Sequence, residues 1–214
     1  MRFRLVYNGT LRSAGNSSKG ADARDIRDSF HDQLAYLWKT HRALHRLAWT
    51  ARVPDKDHVG SFLGVSDSPF APTGLPQYGM QKGFTDLTED IALDGRLVKP
   101  LVRKSLDLTC SLNILFLRKE DPGSIVLQGG DLDGRIKTLF DALRMPTVDE
   151  SKRYPSKHEK LYCLMESDTL ISRFEVDADR LLFPTTEAPH EVHLVVEVSI
   201  DVHVVGKWNV CLLG

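Results

Sequence analysis

The chain has 214 residues and a mass of 24.1 kDa, and 42% of its residues are hydrophobic, which is enough for one domain with a buried core. Its net charge is −1, with 28 Lys and Arg against 29 Asp and Glu, which argues against tight nonspecific binding to nucleic acid. Three separated cysteines, no signal-like segment and no long apolar run predict a soluble cytoplasmic protein without disulfides, a zinc site or a membrane span.

The first half of the chain predicts one strand, one long helix and one irregular region. Residues 2–7 are predicted as a strand, and a polar loop rich in Gly, Ser and Asn follows. A helix is predicted from Asp22 to a point before Pro54, because apolar residues recur at helical spacing. The following region contains five prolines between positions 54 and 100 and only short apolar runs. We therefore expect an insertion at about 54–104 within the single domain.

The second half predicts strands around one short helix. A strand is predicted over Leu108–Leu117, and residues 125–127 lead as an extended segment into Gly129. A helix then begins near Asp133 and stops before Pro146. A polar loop is predicted over 146–160, followed by a strand from Leu170 and a longer strand with apolar residues at every second position from 192 to 204. This order of elements indicates an α+β fold.

Two aspartates lie where the extended segment turns into this helix. Asp131 and Asp133 are separated by one residue, and Lys137 follows one turn later. Acidic residues at a helix N-terminus also stabilise free amide groups, and Asp133, Lys137 and Asp141 have the spacing of surface ion pairs. The alternative is a site where carboxylates share a divalent cation and a lysine binds a phosphate. Spacing alone favours the structural explanation.

A longer pattern changes this balance. The segment Asp131-Leu132-Asp133-x-x-x-Lys137 continues as Leu139-Phe140-Asp141-Ala142-Leu143, and Asp168 stands downstream at the start of a strand. This pattern resembles the RusA family of Holliday junction resolvases, in which Asp-Leu-Asp-Asn-x-x-Lys precedes a helix ending Asp-Ala-Leu, and an Asp-Asp pair opens the next strand. Gly134 replaces the asparagine and Ser167 replaces the first aspartate of the pair.

The resemblance implies a metal-dependent endodeoxyribonuclease that resolves Holliday junctions. It implies that Asp131, Asp133 and Asp168 bind Mg²⁺ or Mn²⁺, and that Lys137 completes the catalytic site. It also implies a RusA-like mixed, mainly antiparallel sheet packed against helices, a homodimer acting on branched DNA, and a role in recombination, repair or phage DNA processing. Two alternatives stay open: a nuclease for another nucleic-acid structure, and a non-catalytic nucleic-acid- or protein-binding module on the same scaffold.

Other charged residues allow simpler predictions. His41 lies on the apolar stripe of the first helix and is predicted as a packed histidine, and Asp177-Ala178-Asp179 is predicted as a surface turn. Residues 1–104 carry 16 Lys and Arg against 11 Asp and Glu, whereas residues 105–214 carry 12 against 18, so the candidate site lies in the acidic half. The predicted phosphate contacts are Lys99, Arg103, Lys104, Lys152, Arg153, Lys157 and Lys160.

Overall fold

A four-stranded sheet forms the centre of the fold. The structure, a computed structural model, describes residues 1–12, 19–54, 84–119, 132–183 and 190–213. The strand order is β1-β9-β6-β8, where β1 is Arg2–Thr10, β6 is Leu108–Arg118, β8 is Ile171–Arg180 and β9 is Glu191–Val202. Strand β9 is antiparallel to both of its neighbours, whereas β6 and β8 are parallel.

The alternation predicted for two of these strands is confirmed. In β6 the side chains of Leu108, Cys110, Leu112, Ile114 and Phe116 are buried. In β9 a matching set is buried: Val192, Leu194, Val196, Val198 and Ile200. Because the side chains of a strand alternate between its faces, these residues line one face of the sheet and form the core with the helices.

Smaller sheets come from the region between positions 52 and 102. Strand β2 (Arg52–Pro54) pairs with β3 (Phe84–Asp86), and β4 (Ile91–Leu93) pairs with β5 (Arg96–Val102). Strand β5 also pairs in parallel with β7 (Lys160–Met165). Leu101 and Val102 join the main core. From residue 84 onwards, the predicted insertion therefore contains strands that belong to the fold, while residues 55–83 lie outside the described ranges.

Four helices are described, namely α1 (Lys19–Thr40), α2 (Arg42–Thr50), α3 (Leu132–Leu143) and α4 (Val148–Arg153). Helix α1 buries Ile26, Phe30 and Leu34 and packs against α3, β1 and β7. Three 3-10 turns are also described: Lys104–Leu106, Asp168–Leu170 and Val210–Leu212. The predicted α+β class, with a mixed and mainly antiparallel sheet packed against helices, is thus confirmed.

The first predicted helix is divided in two at His41. This residue has an extended backbone, and its Nδ1 accepts a hydrogen bond from the amide of Ala43 at 3.2 Å. His41 therefore caps the N-terminus of α2, a position where a side-chain acceptor satisfies an otherwise unpaired amide. The prediction of a packed histidine within one continuous helix was wrong.

Two further segments differ from their predictions. Residues 148–153, predicted as loop, form α4, which begins with a capping box between Thr147 and Glu150. Asp177-Ala178-Asp179, predicted as a surface turn, lies within β8 and pairs with residues 115–117 of β6.

The free edge of β1 is closed at one point by a side chain. Oε1 of Gln33 accepts a hydrogen bond from the amide of Val6 at 2.9 Å, and Nε2 of Gln33 donates to the carbonyl of Val6 at 2.7 Å. These two bonds place the amide and the carbonyl of Val6 on the side of β1 away from β9, where Val195 is the residue opposite Val6. Helix α1 is thereby tied to the edge of the sheet.

Within the described ranges, no helix combines the length and the apolar character needed to span a membrane.

Candidate metal and phosphate site

The first turns of α3 carry two of the predicted site residues. Asp133 lies in the first turn and is exposed, and Lys137 is exposed one turn later. Lys137 forms no ion pair with any described residue, whereas Asp141, one turn further on, pairs with Arg144 at 2.7 Å. Asp131 lies outside the described residues. Within the described ranges, Lys137 therefore has no carboxylate partner.

Asp168 lies in the 3-10 turn between β7 and β8 and is exposed. Ser167, which replaces the family's first aspartate, caps this turn, since its Oγ accepts a hydrogen bond from the amide of Thr169 at 3.3 Å. Glu166 is engaged elsewhere, because its Oε2 accepts a hydrogen bond from the amide of Lys104 at 3.3 Å. The serine therefore has a structural role in the turn that carries Asp168, and its Oγ also donates to Oδ1 of Asp168 at 3.4 Å.

The N-terminal end of α3 lies near the end of β6. Arg135, two residues after Asp133, is buried, and its Nη2 lies 3.2 Å from Nδ1 of His190. His190 directly precedes β9, and Val192 near the start of β9 opposes Arg118, the last residue of β6. Asp133 is therefore near this end of the sheet.

The C-terminal end of α3 lies near the opposite end of the sheet. Arg144, just after the helix, forms a bridge with Met165, three residues before Asp168. After the turn that contains Asp168, Ile171 opposes Cys110, near the start of β6. The same turn packs against α3. Asp168 is therefore near the other end of the sheet from Asp133.

The separation of these carboxylates decides which ions they can share. The helix rise from Asp133 to Arg144 is about 16 Å, at 1.5 Å per residue. Ligand oxygens of Mg²⁺ lie about 2.1 Å from the ion. Along this path Asp133 and Asp168 lie towards opposite ends of α3, so a shared ion within one chain would require their side chains to span much of the helix.

The chemistry of the donors nevertheless suits a hard divalent cation. Asp133 and Asp168 offer exposed carboxylate oxygens, the ligands that Mg²⁺ prefers together with water. Among the described residues, neither aspartate belongs to a cluster of three or more His, Cys, Asp or Glu ligand atoms, and histidine or cysteine ligands would favour a softer metal. Asp131 would add a third carboxylate two residues before Asp133.

A different cluster, formed by His31, Asp32 and His158, brings three side chains with ligand atoms together. The two imidazole rings are stacked, with centroids 3.6 Å apart and planes 20° from parallel. A metal ion lies in the plane of each imidazole that binds it, so rings stacked in this way do not point at a common ion. Nδ1 of His31 also accepts a hydrogen bond from the amide of Tyr162 at 3.0 Å, which places the proton of the neutral ring on Nε2. This cluster is therefore not suited to a metal.

Several of the predicted phosphate contacts are engaged in the fold. Lys99 and Lys160 both bind Asp90, at 3.2 and 2.5 Å, and these lysines lower the pKa of Asp90 although burial alone would raise it. Arg103 is buried and donates hydrogen bonds to the carbonyls of Pro100 and Glu89. The exposed candidates that are left are Lys104, Lys152, Arg153 and Lys157.

Two of these exposed residues border a cleft of about 850 Å³. The cleft lies between residues 19–27 of α1, Asp141 of α3 and residues 149–154 of α4 and its C-terminus, and we call it the α1–α4 cleft. Sequence reasoning missed it, since its walls come from three distant segments. One signal was present: Arg27 interrupts the apolar stripe of α1 between Ile26 and Phe30.

No family model, curated protein or solved structure matches this chain. Membership of the RusA family therefore stays a prediction from the motif of residues 131–143 and Asp168.

Proposed function

We propose that the protein is a Mg²⁺-dependent endonuclease that cuts branched DNA such as the Holliday junction. The observation that carries the proposal is the exposed Lys137, one turn after the exposed Asp133 and in the motif order of the RusA family. A surface ion pair, the simpler explanation of this spacing, is not formed by Lys137 with the described residues. In this proposal the ammonium group of Lys137 binds a phosphate of the substrate.

In the proposed site the aspartates would bind the metal ion and the lysine would bind the phosphate. Asp131 and Asp133 would hold the metal ion at the start of α3. When bound, Mg²⁺ supplies Lewis-acid activation of the scissile phosphodiester and of a water nucleophile. Nζ of Lys137 would donate hydrogen bonds to a non-bridging phosphate oxygen and stabilise the negative charge that grows during attack. No covalent bond between the protein and DNA is required.

We place Asp168 in this site through a second copy of the chain. Because Asp168 lies towards the opposite end of α3 from Asp133, it would reach the metal only from a neighbouring protomer. A two-fold dimer would bring each Asp168 to the Asp133 of its partner and form two equivalent sites. Two sites related in this way suit symmetrical cleavage of a four-way junction.

The first experiment measures cleavage of a four-way junction and of linear duplex, with Mg²⁺ and with EDTA. We expect Mg²⁺-dependent cleavage of the junction, and a loss of about 100-fold or more in Asp133→Asn and in Lys137→Ala. Asp177→Asn, an exposed aspartate of β8 in a similar Asp-x-Asp sequence, is the matched control and should cut normally. Normal cleavage by Asp133→Asn would refute the proposed site.

A mixed dimer tests the position of Asp168. One subunit carries Asp133→Asn and the other carries Asp168→Asn, with different tags so that only the mixed species is purified. If each site is shared between subunits, both altered residues fall in one site and the other is intact, so the mixed dimer nicks the junction although both altered homodimers are inactive. An inactive mixed dimer would show that Asp168 does not act across the interface.

The alternative of a non-catalytic binding module is favoured by the same separation of Asp133 and Asp168, if the chain is a monomer. This alternative predicts junction binding that is equal in Mg²⁺ and EDTA, without cleavage by the wild-type protein. Sedimentation of the protein at the assay concentration distinguishes the monomer from the dimer.

A further inference from the structure

The α1–α4 cleft has a surplus of positive charge that the residues described by the structure do not neutralise. Beneath it, Arg144 binds Asp141 and Glu150, each at 2.7 Å, and Arg27 lies 3.9 Å from Glu150. These two arginines and two carboxylates balance one another. Hydrogen bonds from Arg144 and from the Thr147 amide lower the pKa of Glu150, although burial alone would raise it, so the network stays ionised.

The remaining charged groups of the walls are mostly cations. Lys19, Lys152 and Arg153 form no ion pair with any described residue, and Asp149 is the carboxylate that is left opposite them. Three cations against one carboxylate make the cleft attractive to an anion. The first turn of α1 forms one wall, and the positive end of this 22-residue helix adds to the same field.

A buried arginine provides an independent sign of a ligand. The side chain of Arg27 is only 5% exposed, and its Nη2 donates a hydrogen bond to the carbonyl of Asp141. Its Nε, in the wall of the cleft, has no acceptor among the described residues, whereas buried polar atoms are normally paired. The wall is also closely fitted, because a Cβ at Gly20 would lie 2.2 Å from the ring of Tyr154.

The cleft borders α3 at a residue that is aligned along the helix with the proposed site. Asp141 belongs to its wall and lies one helical turn beyond Lys137 and two beyond Asp133. The rise from Asp133 to Asp141 is about 12 Å. Phosphates follow one another at about 3.4 Å per nucleotide along the axis of a duplex strand, so this distance corresponds to about three or four nucleotides.

We propose that the α1–α4 cleft binds backbone phosphates of the DNA strand that continues from the site at Asp133 and Lys137, with Lys19, Lys152 and Arg153 as the phosphate contacts. This inference rests on the proposed function. The cleft would position the DNA strand, and it is a different surface from the proposed metal ligands Asp131 and Asp133. A free phosphate or a mononucleotide shares the same chemistry, and the experiment distinguishes these sources.

The test compares two variants with the same change of charge. The cleft variant combines Lys19→Gln, Lys152→Gln and Arg153→Gln. The control combines Lys39→Gln, Arg42→Gln and Arg46→Gln, three exposed cations at the junction of α1 and α2, about 30 Å along α1 from Lys19. Fluorescence anisotropy measures binding to a labelled junction in EDTA over a series of salt concentrations, and thermal unfolding verifies that both variants fold.

We expect each lost contact to weaken binding about eightfold at 0.1 M salt and to lower the slope of log K against log salt by about 0.9. The cleft variant should then bind more than 100-fold more weakly, the control should bind within about twofold of the wild-type protein, and Asp149→Asn should bind more tightly. Equal losses in the cleft and control variants would overturn the inference.

The outcome separates this inference from the proposed function. Asp133→Asn should abolish cleavage and keep the wild-type affinity, whereas the cleft variant should lose affinity. If the wild-type protein cuts DNA and the cleft variant binds and cuts equally well, the inference fails and the proposed function stands. If inorganic phosphate or a nucleoside monophosphate shifts the NMR signal of the Gly20 amide while a junction does not, the ligand is a small phosphate and the inference of a DNA strand is overturned.

Discussion

Protonation of His31 should destabilise the fold below about pH 6.5. Its side chain is buried on α1 and stacks on the ring of His158. Its Nδ1 accepts a hydrogen bond from the amide of Tyr162. Burial lowers the pKa of His31 from its usual 6.5, and the nearby His158 and Lys157 lower it further, against the opposing effect of Asp28 and Asp32. A second proton would have to displace the hydrogen bond from Tyr162.

The sign of the effect follows from the direction of this shift. Below pH 6.5 the unfolded chain binds a proton at His31 that the folded protein does not bind, so stability falls as the pH falls towards the folded pKa. The slope approaches 1.36 kcal/mol per pH unit, and the loss between pH 6.5 and 5.5 is at most about 1 kcal/mol from this group. A further loss of about 0.4 kcal/mol falls between pH 7.5 and 6.5, and above about pH 7.5 the contribution is constant.

The assay is urea unfolding at pH 7.5, 6.5 and 5.5, followed by tryptophan fluorescence. The reference is His31→Gln, since glutamine does not titrate and its amide oxygen can accept the hydrogen bond from Tyr162. We expect the free energy of unfolding of the wild-type protein to fall relative to His31→Gln as the pH is lowered. A difference between the two proteins that stays constant over this range would refute the reasoning.

Three further predictions concern the core, a helix cap and the cysteines. Phe116→Ala should lower the free energy of unfolding by about 3–5 kcal/mol, because the ring is fully buried and its loss leaves a cavity; a urea midpoint within error of wild type would contradict this. Thr147→Ala should cost about 1 kcal/mol by removing the capping box with Glu150, and an unchanged thermal midpoint would show that the cap is not needed. Cys110 and Cys163 should resist alkylation at pH 8 until the protein unfolds, since burial raises the pKa of each thiol to about 12, and rapid labelling of the folded protein in mass spectrometry would count against this.

The strands β6 and β9 could be predicted because each has one buried face. A one-residue shift would move every apolar side chain of such a strand to solvent, so the alternation specifies both the strand and its orientation. The same reasoning predicted α3, whose apolar residues recur at helical spacing and whose Asp133 and Lys137 face outwards. Patterns of this kind are local and can be read in a single segment.

The break at His41 and the short helix α4 depend on individual hydrogen bonds, which hydrophobic spacing does not report. The capping box of α4 was a usable signal, since Glu150 follows Thr147 at the required distance. His41 gave a weaker one, because histidine is not among the residues that usually cap helices. Short elements of this kind are stabilised by their ends more than by a buried face.

The relation between Asp133 and Asp168 could not be predicted from their spacing. The motif indicates that a helix lies between them, but it does not specify that the chain returns through β7 at the far end of that helix. The pairing of β7 with β5, which fixes this return, joins segments more than 60 residues apart. Contacts over such separations depend on the whole topology.

The side-chain amide of Gln33 attaches α1 to β1 and also affects how the β1 edge can pair with other molecules. An edge strand with free amide and carbonyl groups is a template on which strands of other molecules can add. At Val6 both groups are already occupied by a side chain of the same molecule, so an incoming strand would have to displace two hydrogen bonds. Gln33 thus protects the β1 edge against intermolecular sheet growth and aggregation.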